Sequence, residues 1–292
     1  MEAPFRFGLM RFYFHMAAYK TTRAHLASFI TLLLVQVSVQ AACDTYTVSG
    51  IPGGFTRRLF ADFSNVSPGG DAASLLSSFG IGISSDTVRS TPIPRTSVPS
   101  NIALGNGALN LKVSRYSGSG AVQSAEMVTR DTFKFASVRT SMKSSKTPGV
   151  VEGNFFYLND NQEIDWETLT STISTSSQCV PAGIWATNQR AFAGAPATDA
   201  TIPFTFDPTA DFHEYRIDWS SDATAFYIDG QRKARFTQNV PTQAGHWIWN
   251  VWSSGDPCWS NGPPTADSIT QIRSIEMFTG WTSTVSGNVC SA

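Results

Sequence analysis

The sequence predicts an all-β fold, an antiparallel β-sandwich. Apolar and polar residues alternate in short runs, the period of half-buried strands. Gly, Pro, Asn and Ser separate these runs at close intervals, with no repeated unit. After residue 42 there is no convincing amphipathic helix.

Residues 1–42 read as a secretory signal. Arg11, Lys20 and Arg23 precede the apolar run 26–39 (LASFITLLLVQVSV), and small Ala41 and Ala42 follow it. The run is shorter than the ~20 apolar residues of a membrane span and contains Gln36, so a retained signal anchor is the lesser alternative. Met10 or Met16 is an alternative start. Cleavage after Ala41 or Ala42 leaves one domain, residues 43–292, long enough for a sizeable core.

Within that domain, residues 72–79 allow one short helical turn, and 92–99 form a proline-rich connection. Leu109, Leu111 and Val113 alternate with Asn110, Lys112 and Ser114. Phe133 and Phe135 run into Val138, Thr140 and Met142 with a phase slip, which predicts a bulge. Residues 155–158 lead by a short loop into an acidic strand, 162–167. Tyr215, Ile217 and Trp219 alternate with Arg216 and Asp218. Residues 225–228 and 231–236 flank Asp229-Gly230, a hairpin signal. An aromatic strand, 246–252, and a last strand, 269–278, close the fold.

Net charge is −1 and charged residues are 15%, against the ~25% of ordinary soluble domains. No basic patch suggests nucleic acid. A surface of Ser, Thr, Asn and Gln suits an exported, monomeric protein that meets neutral polymers. Cys43, Cys179, Cys258 and Cys290 all follow the signal. An even count favours two disulfides, for which three pairings exist. Cys43 with Cys290 would tie the termini together, leaving Cys179 with Cys258 to join two loops. No CxxC or His/Cys cluster suggests a metal, and no cofactor is expected. Asn65-Val66-Ser67 is the one N-glycosylation acceptor, with Pro68 directly after it. The terminal Cys-Ser-Ala has no hydrophobic tail of the GPI type.

The run Gln162-Glu163-Ile164-Asp165-Trp166-Glu167 carries the chemistry. On a strand, Glu163, Asp165 and Glu167 share one face, opposite Ile164 and Trp166. Three acids on one face repel and weaken a strand. The plainer explanation is an acidic edge that discourages aggregation. The functional one is glycoside hydrolysis, which needs two carboxyl groups of divergent pKa about one bond. The Cα atoms of Glu163 and Glu167 would lie ~13 Å apart on a flat strand. Retaining enzymes hold the two carboxyl groups ~5–5.5 Å apart, so the side chains must lean together, as on a concave sheet. One glutamate would attack the anomeric carbon and the other would protonate the leaving oxygen. Asp165 would hydrogen-bond the nucleophile and help hold the acid's proton.

In the aromatic strand, His246, Ile248, Asn250 and Trp252 share one face, and Trp247, Trp249 and Val251 the other. One set belongs to the core and the other to a cleft. Trp259, in a Gly/Pro-rich loop, is a candidate cleft wall. His213 is read as structural, since no Gly-x-Ser-x-Gly elbow accompanies it.

Together these segments resemble glycoside hydrolase family 16. The likeness is carried by QEIDWE (162–167), DFHEYRIDW (211–219) with FYIDG (226–230), and WNVW (249–252). It extends upstream to 124–143 and 148–157, and the stretch 259–264 (WSNGPP) is similar to a fungal branch. The resemblance implies a β-jelly-roll with a substrate cleft on its concave face. It implies Glu163 as nucleophile, Asp165 as its helper and Glu167 as acid/base. It matches Glu126 to a donor-side sugar ligand, and Asn250 and Trp252 to the cleft floor. Residues 183–189 (GIWATNQ) match loosely, which makes Trp185 and Asn188 cleft candidates. Asn161-Gln162 stands where the family often has Asp, and Trp166 where small residues are common. The Asp that helps hold calcium in bacterial members is not evident near Arg273, so no required metal is expected. The implied activity is a secreted retaining endo-β-glucanase acting on β-1,3/1,4-glucans of cell walls. The alternatives are a transglycosylase with the same acids or a non-catalytic lectin on the same sandwich.

Overall fold

The computed structural model describes residues 43–89 and 91–292, so the segment read as a signal lies outside the described residues. Two stacked sheets make a β-sandwich, with strands numbered β1–β19 in chain order. One sheet runs β16 (Gln231–Phe236), β15 (Thr224–Ile228), β14 (His213–Trp219), β9 (Ala136–Lys143), β18 (Ser268–Thr282), β2 (Gly54–Asp62), β1 (Thr45–Thr47), β19 (Val289–Ser291), and β7 (Leu109–Val113) joins β18 to β6 (Ile102–Leu104). The other runs β13 (Thr198–Ile202), β12 (Ile184–Asn188), β11 (Gln162–Leu169), β10 (Val151–Asn159), β17 (His246–Trp252), β8 (Val122–Thr129), β5 (Arg95–Ser97), β4 (Thr87–Val88), with β3 (Ile81–Ile83) also on β8. Pairing is antiparallel as expected, except that β1–β19 and β5–β8 are parallel.

The alternation seen in sequence decides which face each strand buries. In β7, Leu109, Leu111 and Val113 enter the core. In β17, Trp247, Trp249 and Val251 do so, as do Tyr215, Ile217 and Trp219 in β14. Four of the eight tryptophans (Trp166, Trp219, Trp247 and Trp249) are fully buried between the sheets. Buried indole N–H groups find partners: Trp247 Nε1 donates to Asn154 Oδ1 at 2.7 Å and Trp249 Nε1 to Thr140 Oγ1 at 2.9 Å. Asp229 and Gly230 take φ of 49° and 73°, the left-handed pair that a two-residue hairpin requires. The short helix α1 (Ala72–Ser78) is capped by Asp71, whose carboxylate accepts from Ser74 N at 3.0 Å.

Two expectations need correction. The strand predicted to bulge between Phe135 and Val138 instead starts at Ala136, because Phe135 has φ 62° and leaves the extended region. Its ring packs edge-on against Trp219 and Trp281, 5.4 and 5.5 Å between centroids, which holds the break in place. The proline-rich stretch 92–99 is more than a connection, since it contains β5 and extends the second sheet. Disulfides join Cys43 to Cys290 and Cys179 to Cys258, with Cα–Cα distances of 5.8 and 5.1 Å. The first sits beside the β1–β19 pairing and fastens the two ends of the described chain.

Candidate active site

β11 lies between β10 and β12 in the second sheet. Ile164 and Trp166 point into the core, and Trp166 packs edge-on against Tyr215 and Phe226. That packing fixes the pleat and turns Glu163, Asp165 and Glu167 to the opposite face. All three line one cleft of about 450 Å³, with Arg95, Glu126, Phe155, Tyr157, Asp160, Ile248, Asn250 and Trp252. Hollows of about 470 and 560 Å³ lie elsewhere, but their only carboxylates are Asp131 and Asp207, with no second acid facing either.

Register explains the grouping. From β10, Gly153 stands opposite both Glu167 on β11 and Asn250 on β17, and Phe155 opposite both Asp165 on β11 and Ile248 on β17. Asn250 in turn pairs with Glu126 on β8, and its Nδ2 donates to Glu126 Oε2 at 3.3 Å. Gly153 is required by this closeness. A Cβ there would sit 2.5 Å from Asn250 Oδ1. Gly153→Ala is therefore expected to displace Asn250 from Glu126, lowering kcat/KM about tenfold and stability by about 1–3 kcal/mol. Steady-state kinetics and thermal unfolding check this, and an unchanged kcat/KM would show that the Asn250–Glu126 pair is not used.

The electrostatics set Asp165 apart from the two glutamates, whose carboxyl groups do not diverge as expected. Asp165 is buried, and burial followed by the charges of Glu163 and Glu167 pushes its carboxyl well above the usual range. Asp165 therefore keeps its proton and donates it to Glu163, with which it shares a hydrogen bond. Gln189 Nε2 donates to Asp165 Oδ2 at 2.9 Å and fixes the carboxyl plane. Burial also pushes Glu163 up to about 7, against the help of that hydrogen bond, so the bond to Asp165 and not a lower pKa sets it apart from Glu167. Glu167 is pushed up to about 7, first by burial and then by repulsion from Glu163, while a hydrogen bond to Trp259 and the charge of Arg95 oppose the rise. Near neutral pH, Glu167 thus has a proton to give and can take one back.

The expected aromatics take distinct places. Trp252 faces the cleft beneath the Arg95 guanidinium, 4.0 Å from its ring centroid. Trp185 stands opposite Glu167 on β12 and meets Trp259 edge-on at 5.2 Å. The Cys179–Cys258 disulfide pins the loop immediately before Trp259. Asn188 does not join them. It pairs with Ile164 and so lies on the core face, where Nδ2 donates to the Gln238 carbonyl and Oδ1 accepts from Thr224. Both ends of the amide are used inside the sandwich, which removes it as a sugar ligand. His213 meets Asp229 at 2.7 Å and stacks on Phe206, away from the cleft.

Sequence reasoning missed Arg95, Gly153, Phe155, Tyr157 and Gln189. Alternation along β10 would have turned Phe155 and Tyr157 to the acids' side, and a glycine inside a buried strand marks close approach. For Arg95 and Gln189 the sequence held no signal. Among the described residues no group of three or more His, Cys, Asp or Glu is arranged to hold a metal ion.

The profile of Glycosyl hydrolases family 16 matches residues 93–269. A beta-glucanase of Acetivibrio thermocellus is 28% identical over 155 residues, 53% of this chain and 45% of that protein. A beta-glucanase of Paenibacillus polymyxa is 24% identical over 135 residues, 46% of this chain and 55% of that protein. The chain thus spans about half the length of the curated relatives it matches. Among solved structures, a prokaryotic beta-1,3-1,4-glucanase (lichenase) from a mouse hindgut metagenome superposes with TM-score 0.61 at 21% identity, covering 76% of this chain and 99% of that one. A Crh5 transglycosylase superposes with TM-score 0.54 at 18% identity, covering 78% and 86%. These structures share the jelly-roll sandwich.

Proposed function

The chain belongs to glycoside hydrolase family 16, and on that premise we propose that it is a secreted, retaining endo-β-glucanase acting on β-1,3/1,4-linked glucan. The observation that carries this reading is the row Glu163, Asp165 and Glu167 on a cleft floor, with Asp165 bonded to Glu163 and both glutamates raised to about 7. The carboxylate of Glu163 attacks the anomeric carbon as the glycosidic C–O bond breaks, and the leaving oxygen takes the proton of Glu167. Glu167, now ionised, takes a proton from water. The water oxygen bonds to the anomeric carbon and Glu163 departs as carboxylate. The proton on Asp165 stabilises the Glu163 anion before attack and after release. Glu126, Asn250 and Trp252 bind the donor sugars, and Trp185 with Trp259 walls the Glu167 side. Two disulfides suit an oxidising, extracellular setting.

A transglycosylase would use the same acids with a sugar acceptor in place of water. The Trp185–Trp259 wall beside Glu167 favours keeping it as the second reading. Product analysis by mass spectrometry on lichenan, laminarin, xyloglucan and chitin oligosaccharides, with and without a labelled acceptor, separates the two. Shorter products establish the hydrolase, and lengthened labelled products the transglycosylase. No change on any polymer would support a lectin.

A further inference from the structure

Resting on the assignment of Glu167 as acid/base, we propose that Arg95 is a positioning residue of this site, bracing Trp252 and supplying the positive charge that faces Glu126 and Glu167. Strand β5 reaches the cleft because it pairs in parallel with β8, Arg95 opposite Val122 and Ser97 opposite Ser124. Glu126 lies farther along that same β8. Arg95, Glu126, Glu167 and Trp252 then line one hollow. Among the described residues lining it, Arg95 is the only cation, against Glu126, Asp160, Glu163, Asp165 and Glu167.

The guanidinium is placed by an aromatic ring rather than by a salt link. Its carbon lies over the Trp252 ring, 4.0 Å from the centroid. It belongs to none of the close ion pairs among the described residues. Its charge therefore acts on the carboxylates through space, in a cleft whose burial leaves such interactions poorly screened.

The consequence falls on the two half-reactions. Glu167 must give up its proton in the first and take one back in the second. Its own strand presents Glu163 and Asp165, β10 presents Gly153 and Tyr157 with Asp160 in the turn after it, β12 presents Trp185, β8 presents Glu126, β17 presents Asn250 and Trp252, and the loop after β17 presents Trp259. Of these, burial and Glu163 favour the protonated form, and the Trp259 hydrogen bond opposes them. Arg95 adds the opposing charge. Without it Glu167 would hold its proton more tightly and give it less readily to the leaving oxygen.

The test is the pH profile of kcat/KM for Arg95→Gln, Arg95→Lys and the parent on a soluble mixed-linkage glucan oligosaccharide. Arg95→Gln is expected to move the basic limb upward by about half a unit to one unit. Arg95→Lys should keep the limb near its parent position but raise KM, because an ammonium does not reproduce the guanidinium's contact with the Trp252 ring. Arg95→Met, which keeps an apolar stem against Trp252, should repeat the upward shift and guards against a folding defect. An unmoved limb in folded Arg95→Gln and Arg95→Met, with turnover lost in Glu167→Gln, overturns this proposal alone. Normal turnover by Glu167→Gln overturns the acid assignment and this proposal with it.

Discussion

Glu163→Ala is expected to lose turnover by roughly 10⁴-fold or more while the protein still folds and still binds glucan. The loss is large because no neighbour can replace the nucleophile. Asp165 is buried on the same face but holds its proton, and a protonated carboxyl does not attack. Glu167 is committed to proton transfer at the leaving oxygen. Folding should survive because Glu163 contributes little to the core: Ile164 and Trp166 carry the packing of β11. Removing one of three mutually repelling acids also relieves a cost. Turnover measured on oligosaccharide, beside binding measured by calorimetry on the same sample, checks both halves. Activity within tenfold of the parent would sink the assignment, and a binding protein without catalysis would show unaltered behaviour apart from affinity.

The fold was legible where one face of a strand is core and the other is not. In β7 the alternation in sequence is the alternation of burial, and in β14 and β17 it picks out the side chains that reach the core, although Asp218 and Asn250 between them are buried too. Legibility failed where local pattern and tertiary contact disagree. Phe135 continues an apolar run, yet its ring is worth more between Trp219 and Trp281 than in the ladder, so the backbone turns left-handed there. β5 has two prolines close before it and one close after it, which locally argues against a strand. It forms because β8 offers it an edge, and nothing in residues 92–99 encodes that partner.

The site shows the same division. The acids could be read because the spacing of two places them on one face of any strand, whatever it pairs with. Asn188 was misplaced for the same reason: on β12, Trp185 and Thr187 face the acids' side, so position 188 must face the core. Counting from Trp185 would have excluded it. Gln189 and Arg95 could not be read, because each reaches the acids from another segment, and single sequences do not record register between strands.

Glu167→Gln carries the second large effect, and its two halves have opposite signs. Turnover on unactivated glucan should fall by about 10²–10⁴-fold, since the leaving oxygen loses its proton donor. A substrate whose leaving group needs no proton should lose far less in the first step, which separates the acid role from nucleophilic attack. Stability should move the other way. Burial and Glu163 raise the folded-state pKa of Glu167 from 4.5 to about 7. The native state then binds this proton more tightly than the unfolded chain does. The benefit is fully present below the unfolded value, and stability declines as pH rises from about 4.5 to about 7. Above that window the ionised carboxylate carries its full burial cost. An amide has no such titration, so Glu167→Gln should gain up to about 2–3 kcal/mol over the parent at pH 8 and nothing at pH 4. Denaturant unfolding at the two pH values measures the difference. An equal change at both would mean that Glu167 is not held in a protonating environment, and the acid role would lose its physical basis.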